Sequence, residues 1–334
     1  MLTISKAKQC EETLFAEIKT AKSICLTTHI NPDGDGLCSC LALKRILSYL
    51  GFSADIIVDD LSLDRYSYLN ADKYVIEDNV SLKYDLVLVI DLHDYQRLGS
   101  RVHLVRKAEK IFILDHHEVH DDLMDCTCSW IEPHSVCTGW MLFELFRHVI
   151  DEMSDEDKLY VGMCLYTTLL NDTNNFTNAN TDKHAYELAS AVLKYGVIPH
   201  HVYRLFMLSR TPAEIRLVGQ VLSTIEHYDD GRILFIYSTN AMLAENNQDK
   251  EATSNLTRWV QNLKGVDTIV YYREEEANLY RLSLRSKIIN VHAIAVKYNG
   301  GGHLQASGCN IKGSLPELKK LMLEEIRNAD KLVG

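Results

Sequence analysis

Four short segments of the chain place aspartate or histidine directly after an apolar run. These side chains are His29, Asp33 and Asp35 in the first segment, Asp91 in the second, Asp115, His116 and His117 in the third, and Asp172 in the fourth. Imidazole and carboxylate together, without thiolate, are donors that favour Mn²⁺, Mg²⁺, Fe²⁺ or Co²⁺ over a structural zinc ion. The segments therefore predict a centre that binds divalent cations.

Each segment taken alone has a simpler interpretation. An aspartate at the end of a strand is usually a helix cap or a turn residue. Adjacent histidines such as His116 and His117 are more often surface or core residues than ligands, and residues 32–36 are also compatible with an ordinary turn. Because all four segments follow apolar runs in one chain, a shared site explains them better than four unrelated caps, turns or surface residues.

Near-continuous apolar runs must position these side chains. Residues 23–29, 52–60, 84–91 and 110–117 have the pattern of strands, and helical stretches alternate with the strands in this part of the chain. Such runs are typical of central strands in a parallel sheet that is covered on both faces. The alternation predicts a doubly wound α/β domain, in which the carboxyl ends of the strands line a ligand-binding crevice.

The pattern changes in the second half of the chain. Helical residues 191–215, interrupted by Gly196 and Pro199, predict a linker. Strand-like runs at 232–239, 267–276 and 279–287, a glycine-rich segment and a final helix predict a smaller α+β domain. The expected division is 1–190 for the catalytic domain, 191–215 for the helical linker and 216–334 for the second domain.

The net charge of −11 over 334 residues argues against a protein that holds long nucleic acid along a basic track. It permits a short anionic substrate, because bound cations reverse the local sign of an acidic cleft. Nine scattered cysteines indicate a reducing compartment, and no apolar run has the length of a membrane span. We expect a cytoplasmic protein.

Two ions can be assigned to the predicted donors. His29, Asp33 and Asp91 can serve one ion, and a second can use Asp35, Asp91, His116 and Asp172. A carboxylate shared between two ions holds them about 3.5–4 Å apart, a spacing that activates water near neutral pH. Gly34 and Gly36 would allow a sharp backbone turn between ligands.

Five segments resemble, in order, the motifs of the DHH phosphoesterase family. They are THINPDGDGLCSCLAL, VLVIDLHD, LDHHE and NDTNNFTNANT, followed by GGGHLQASG of the DHH-associated C-terminal domain. The resemblance covers nearly the whole chain. Three positions depart from the usual motifs, Gly36, Cys38 and Asn174, and none of them is a predicted ligand.

The resemblance implies a role for individual residues. The metal ligands of the family correspond to His29, Asp33, Asp35, Asp91, His116 and Asp172, and Asp91 would bridge two ions. His117 would act on the phosphate or the leaving oxygen. Asp115 would orient the histidines. Substrate binding would fall to Arg285, Ser286, Gly300, Gly301, Gly302 and His303. Arginine offers phosphate a bidentate fork, and glycine lets backbone N–H groups approach it.

Within the family, the size and two-domain layout resemble phosphodiesterases of short oligoribonucleotides that also dephosphorylate 3′-phosphoadenosine 5′-phosphate (PAP). This implies a two-metal enzyme, with Mn²⁺ favoured, that binds short RNA or a phosphorylated adenosine nucleotide and forms no complex with long duplexes or membranes. A homodimer is the default oligomer. The alternatives are a family II-like inorganic pyrophosphatase or exopolyphosphatase, and a catalytically silent nucleotide-sensing protein.

Overall fold

The structure is a computed structural model that describes residues 2–58, 63–119, 123–208, 211–253, 256–261 and 263–331. The chain forms two compact units, Met1–Ser209 and Arg210–Gly334. Their boundary falls inside the range 191–215 that was predicted as a linker. No helix among the described residues has the length and apolar content required to cross a bilayer.

The first unit contains one sheet and its surrounding helices. Its elements are α1 (Leu2–Thr20), β1 (Ile24–Thr27), α2 (Gly34–Tyr49), β2 (Asp55–Ile56), β3 (Leu86–Ile90), α3 (Val102–Lys107), β4 (Lys110–Asp115), β5 (Cys128–Ile131), α4 (Thr138–Glu152), α5 (Asp155–Asp172), α6 (Lys183–Lys194) and α7 (Pro199–Met207). Short 3₁₀ helices occupy Leu63–Leu69, Ala71–Lys73 and Gln96–Arg101. The strand order is β2-β1-β3-β4-β5 and every neighbouring pair is parallel, which confirms the predicted parallel sheet.

Strand β3 shows why the apolar runs are continuous. Leu86, Leu88 and Ile90 face a core that includes residues of α1, α2, α4 and α5. Val87 and Val89 face a second core on the opposite side, which includes residues of α3. Because both faces are covered, alternate positions of the strand are equally apolar.

The order of the strands also determines where their ends meet. The chain passes from β1 outward to β2, then returns to the other side of β1 to form β3. In doubly wound sheets this reversal opens a crevice at the carboxyl ends of the two inner strands. The first predicted motif follows β1 and Asp91 follows β3, so both border the crevice.

Some local predictions differ from the structure. The run at 52–60 contributes only Asp55–Ile56 to the sheet, and its last two residues lie outside the described ranges. Strand β5 was not predicted, since its edge position leaves it only partly buried and without a long apolar run. Within the predicted linker, Phe206 is buried in the core of the first unit.

The second unit is built around a mixed six-stranded sheet. Its elements are α8 (Pro212–Leu222), β6 (Glu226–Tyr228), β7 (Ile233–Ser238), α9 (Asn240–Glu245), a 3₁₀ helix (Glu251–Thr253), α10 (Thr257–Val260), β8 (Thr268–Glu276), β9 (Leu279–Ser286), α11 (Val291–Val296), β10 (Gly301–His303), β11 (Ala306–Lys312) and α12 (Leu315–Asp330). The order is β10-β11-β9-β8-β7-β6. Only β7 and β8 pair in parallel among these described strands. This confirms the predicted second sheet, with α11 and α12 packed on one face and α8 on the other.

Candidate metal centre

The first motif forms the loop between β1 and α2. Asp33 is the N-cap of α2, and its Oδ1 accepts hydrogen bonds from the backbone N–H groups of Asp35 at 2.9 Å and Gly36 at 3.2 Å. The helix therefore begins at Gly34, and Asp35 lies fully buried in its first turn. Asp33 is thus a helix cap as well as a candidate ligand, since His29 Nε2 lies 3.7 Å from the same Oδ1.

The two glycines of this motif are required for close packing and not for a turn. Both lie in α2, and neither has a positive φ. A Cβ at Gly36 would lie 2.3 Å from Thr28 Oγ1, and one at Gly34 would lie 2.7 Å from the Phe206 ring. The expectation of a glycine-dependent turn was therefore wrong, and the first turn of α2 instead packs directly on Thr28, the residue after β1, and on Phe206 of α7.

Asp91 lies between two histidines. It directly follows β3 and adopts a left-handed conformation with a φ of 62°, which is uncommon for residues other than glycine but which aspartate adopts more readily than most. Its Oδ2 is 3.5 Å from His29 Nε2, and its Oδ1 is 3.6 Å from His116 Nε2. Each oxygen of this buried carboxylate therefore faces a different imidazole.

The predicted ligands fall into two sets around Asp91. In the first set are His29, Asp33 and Asp91. In the second, His116 Nε2 lies 3.0 Å from Asp172 Oδ2 and 3.6 Å from Asp35 Oδ2. The possible ligand atoms within each set all lie within 4.8 Å of one another. The structure brings together all six side chains that the sequence predicted as ligands.

The electrostatics of this cluster favour bound cations. Burial and the carboxylates of Asp172 and Asp91 raise the pKa of Asp35 well above its usual value. Burial and Arg97 lower the pKa of His29, but hydrogen bonding to Asp33 and Asp91 outweighs them and raises it to about 9. Without ions, the cluster therefore holds protons to offset its crowded carboxylates. Divalent cations would supply that positive charge, so the donors fit the predicted metal pair.

Asp115 holds the third motif in place. Its Oδ1 accepts hydrogen bonds from the backbone N–H groups of His116 at 2.8 Å and His117 at 3.2 Å, and from His117 Nδ1 at 2.7 Å. The ring of His116 is oriented differently, because its Nδ1 donates to the Ser135 carbonyl at 3.2 Å. Asp115 therefore orients the ring of His117 but only the backbone of His116. His117 Nδ1 also lies 3.5 Å from Asp91 Oδ1.

Residues at the start of α4 contribute contacts that the sequence analysis missed. The backbone N–H groups of Thr138 and Gly139 donate to the two oxygens of Asp35 at 2.7 and 3.1 Å. The Thr138 hydroxyl donates to Asp91 Oδ1 at 3.0 Å. The first N–H groups of any helix lack partners within the helix and can receive a carboxylate. The sequence feature that could have predicted these contacts is the Thr138-Gly139 pair at the start of an apolar helix.

The predicted substrate-binding residues belong to the second unit. Ala306 of β11 pairs with Arg285 of β9 on one side and with residue 303 of β10 on the other. The sheet register therefore aligns these two positions at one end of three strands. The side chain of His303 lies outside the described part of the structure.

Gly301 and Gly302 lie in the edge strand β10, and Gly300 directly precedes it. A Cβ at Gly300 would lie 2.2 Å from the Gly308 carbonyl oxygen, and one at Gly302 would lie 2.5 Å from that of Ala306. Gly301 is exposed, with nothing within 4 Å of a Cβ placed there. Close packing therefore explains two of the three glycines.

Ser286 is buried, and its hydroxyl has internal partners. It lies 3.0 Å from Thr268 Oγ1 and accepts from the backbone N–H groups of Ile288 and Ile289 at 3.2 and 3.1 Å. These contacts indicate that Ser286 shapes the loop after β9. Contact of Ser286 with substrate remains a prediction.

Comparison with known proteins identifies both parts of the chain. Residues 23–169 match the N-terminal domain of the DHH family, and residues 234–329 match the DHHA1 domain. The bifunctional oligoribonuclease and PAP phosphatase NrnA of Thermus thermophilus is 29% identical over 319 residues, covering 94% of this chain and 93% of that protein. The protein of the same name from Bacillus subtilis is 24% identical, covering 89% and 92%.

The fold has a counterpart among solved structures. An exopolyphosphatase-related protein from Bacteroides fragilis matches with a TM-score of 0.82 at 23% identity, and the match covers 98% of both chains. At this identity the likeness shows a shared fold. The chain belongs to the DHH family of metal-dependent phosphoesterases and carries a DHHA1 domain after its DHH domain.

Proposed function

We propose that this chain is a two-metal phosphoesterase that hydrolyses short oligoribonucleotides to 5′-mononucleotides and PAP to AMP and phosphate. The observation that carries the proposal is the position of Asp91, whose two oxygens lie 3.5 and 3.6 Å from two different imidazoles. Relatives that span most of the chain support the substrates, since their names include both activities.

The six clustered side chains would hold the ions. His29, Asp33 and Asp91 would bind one, and Asp35, Asp91, His116 and Asp172 would bind the other. We propose Mn²⁺, because mixed imidazole and carboxylate donors suit it, with Mg²⁺, Co²⁺ or Fe²⁺ as substitutes. When bound, such a pair activates water and offsets the charge that develops on phosphate.

His117 is the proposed catalytic residue outside the ligand sets. Its Nδ1–H donates to Asp115, which leaves Nε2 as the ring nitrogen that can carry a proton to the substrate. We assign it to protonating the oxygen that leaves phosphorus. In the second unit, Arg285, Ser286, the glycine run 300–302 and His303 are proposed to bind the remainder of the substrate.

The direct test is hydrolysis in the presence of Mn²⁺. We expect the wild-type chain to convert pApA to AMP and PAP to AMP plus phosphate, and Asp91→Ala to abolish both reactions while remaining folded. Pyrophosphate in a parallel reaction tests the alternative activity, and its faster turnover would overturn the proposed substrates. If no phosphoester is hydrolysed by the wild type, the chain is not the proposed enzyme and the nucleotide-sensing alternative is favoured.

Two further proposals concern the cellular context. We propose a cytoplasmic location, which is supported by nine free cysteines, most of them buried. We also propose a homodimer, on the general frequency of that state among soluble proteins. Fractionation of cells and light scattering of the purified chain test these two proposals.

A further inference from the structure

His93 is a buried histidine that the proposed reaction does not use. It follows Asp91 by two residues, and its side chain is 3% exposed. Its Nδ1 contacts Asp115 Oδ2 within hydrogen-bonding distance. Because an ionised carboxylate can only accept, Nδ1 of His93 carries the proton in this contact.

The contact extends the interactions of Asp115 to a third histidine. Oδ1 accepts from the His117 ring at 2.7 Å and from two backbone N–H groups, while His93 donates to Oδ2. Asp115 is fully buried, so an oxygen that loses its donor has no access to water. Leaving a buried acceptor unsatisfied typically costs about 1–3 kcal/mol, and more for a charged group.

We propose that His93 is a positioning residue that holds the Asp115 carboxylate in the plane that orients His117. This inference rests on the proposed function, because the purpose of the orientation is to present His117 Nε2 to the leaving oxygen. The backbone at Asp91 makes the contact possible, since its left-handed conformation redirects the chain after β3. The His93 carbonyl in turn accepts the Met124 N–H at 3.0 Å and anchors this segment.

The orientation also separates His117 from the metal ligands. His117 Nδ1 lies 3.5 Å from Asp91 Oδ1, close enough for the ring to compete as a metal ligand if it no longer donated to Asp115. With Nδ1–H directed at Asp115, that atom is protonated and does not bind a cation. His93 therefore helps to keep His116 as the metal ligand of the pair and His117 available to the substrate.

In the reaction, water adds to phosphorus, the bond from phosphorus to the ribose O3′ breaks, and His117 Nε2–H passes its proton to O3′. The proton released by the water returns to His117 and balances the step. A p-nitrophenyl ester of AMP needs no such proton, because p-nitrophenolate is a stable anion. Loss of the His117 orientation should therefore slow the two substrates unequally.

The test compares His93→Leu, which removes the donor, with His93→Asn, whose amide N–H can replace Nδ1–H. For His93→Leu we expect kcat for pApA to fall about 10–100-fold, as for other residues that orient a catalytic group. KM and kcat for the p-nitrophenyl ester should change by less than about 3-fold, and His93→Asn should recover most of the lost rate. Equal losses for the two substrates, or no loss in His93→Leu, would overturn the proposal.

A proton NMR spectrum separates this inference from the proposed function. The two Nδ1–H groups that donate to Asp115 should give two resonances downfield of the amide region. His93→Asn should remove one of these, and Asp115→Asn should shift both. If the resonances are absent from the folded wild-type protein, His93 does not hold Asp115. If they are present and no phosphoester is hydrolysed, the arrangement stands and the enzymatic proposal fails.

Discussion

Thr138 donates a hydrogen bond from its hydroxyl to Oδ1 of Asp91 over 3.0 Å. Its backbone N–H also donates to Asp35 Oδ2 over 2.7 Å. Thr138 therefore contacts two candidate ligands from the first turn of α4, a helix that carries none of the predicted ligands. The candidate metal centre therefore receives contacts from this helix N-terminus as well as from the strand ends.

The hydroxyl of Thr138 should affect metal affinity. Thr138→Val keeps the shape of the side chain and the backbone N–H but removes the donor to Asp91. We expect the apparent Mn²⁺ affinity to fall about 10-fold, a typical loss for a residue that orients a ligand. Calorimetric titration with Mn²⁺ measures it. Thr138→Ser retains the donor and serves as the control, so equal affinities for the Val and Ser variants would contradict the prediction.

A larger side chain at position 36 should be tolerated only when Thr28 is made smaller in the same variant. Gly36→Ala places a Cβ 2.3 Å from Thr28 Oγ1 in a fully buried site. We expect it to lower the free energy of unfolding by about 1–3 kcal/mol. Among the described residues, Thr28 Oγ1 has no hydrogen-bond partner, so Thr28→Ala should remove the closest contact without breaking a bond and leave only Thr28 Cβ, at 3.2 Å. Urea unfolding of both single variants and the double variant tests whether stability returns.

Bound metal should stabilise the first unit. Ligands that bind only the folded state add about 2.7 kcal/mol at a concentration 100 times Kd. We expect Mn²⁺ to raise the midpoint of thermal unfolding, a chelator to reverse the effect, and Asp91→Asn to remove most of it, because Asp91 contacts both donor sets. Glu156→Gln, an exposed change on α5, is the matched control. An undiminished shift in Asp91→Asn would exclude Asp91 as a shared ligand.

Arg285 should contribute to substrate binding more than to metal binding. We expect Arg285→Ala to raise KM for pApA while leaving the Mn²⁺ affinity unchanged. Arg285→Lys keeps the charge but loses the bidentate fork, so it should recover only part of the loss. Steady-state kinetics distinguish these outcomes. An unchanged KM in Arg285→Ala would remove this residue from the proposed substrate site.

Glu275 should make the second unit sensitive to acid. Partial burial raises its pKa, but hydrogen bonds from Lys250 at 2.9 Å and Arg273 at 2.7 Å outweigh burial and hold the pKa below its usual value. Because folding lowers this pKa, the ionised Glu275 carboxylate stabilises the folded state at pH values above its pKa in the unfolded chain, about 4.3. This stabilisation is lost as the pH falls through the pKa in the folded state.

Glu275→Gln should therefore destabilise the protein at neutral pH and make little difference once the wild-type carboxyl is protonated. Urea unfolding at neutral pH and below pH 4 measures the two differences. The exposed neighbour Glu276 provides a control through Glu276→Gln. If the difference between Glu275→Gln and wild type stayed constant across pH, the ion pairs would not be its cause.

Much of the fold was predictable from local patterns. Strands β1, β3, β4, β7, β8 and β9 follow from apolar runs whose length and flanking residues suit strands. Strands β5, β6, β10 and β11 were not predicted, because short, polar or glycine-rich strands are stabilised by their neighbours in the sheet.

The sequence by itself determined the residue types and the strand ends of the candidate site. Both can be read from patterns local in the chain, such as the continuous apolar run of β3 and the aspartate that caps α2. The tertiary structure alone decided which atoms meet. Thr138 reaches Asp35 across 103 residues, and His93 reaches Asp115 across 22, because the helices and loops pack on one sheet. Directional hydrogen bonds between such distant residues depend on packing geometry, which no local pattern encodes.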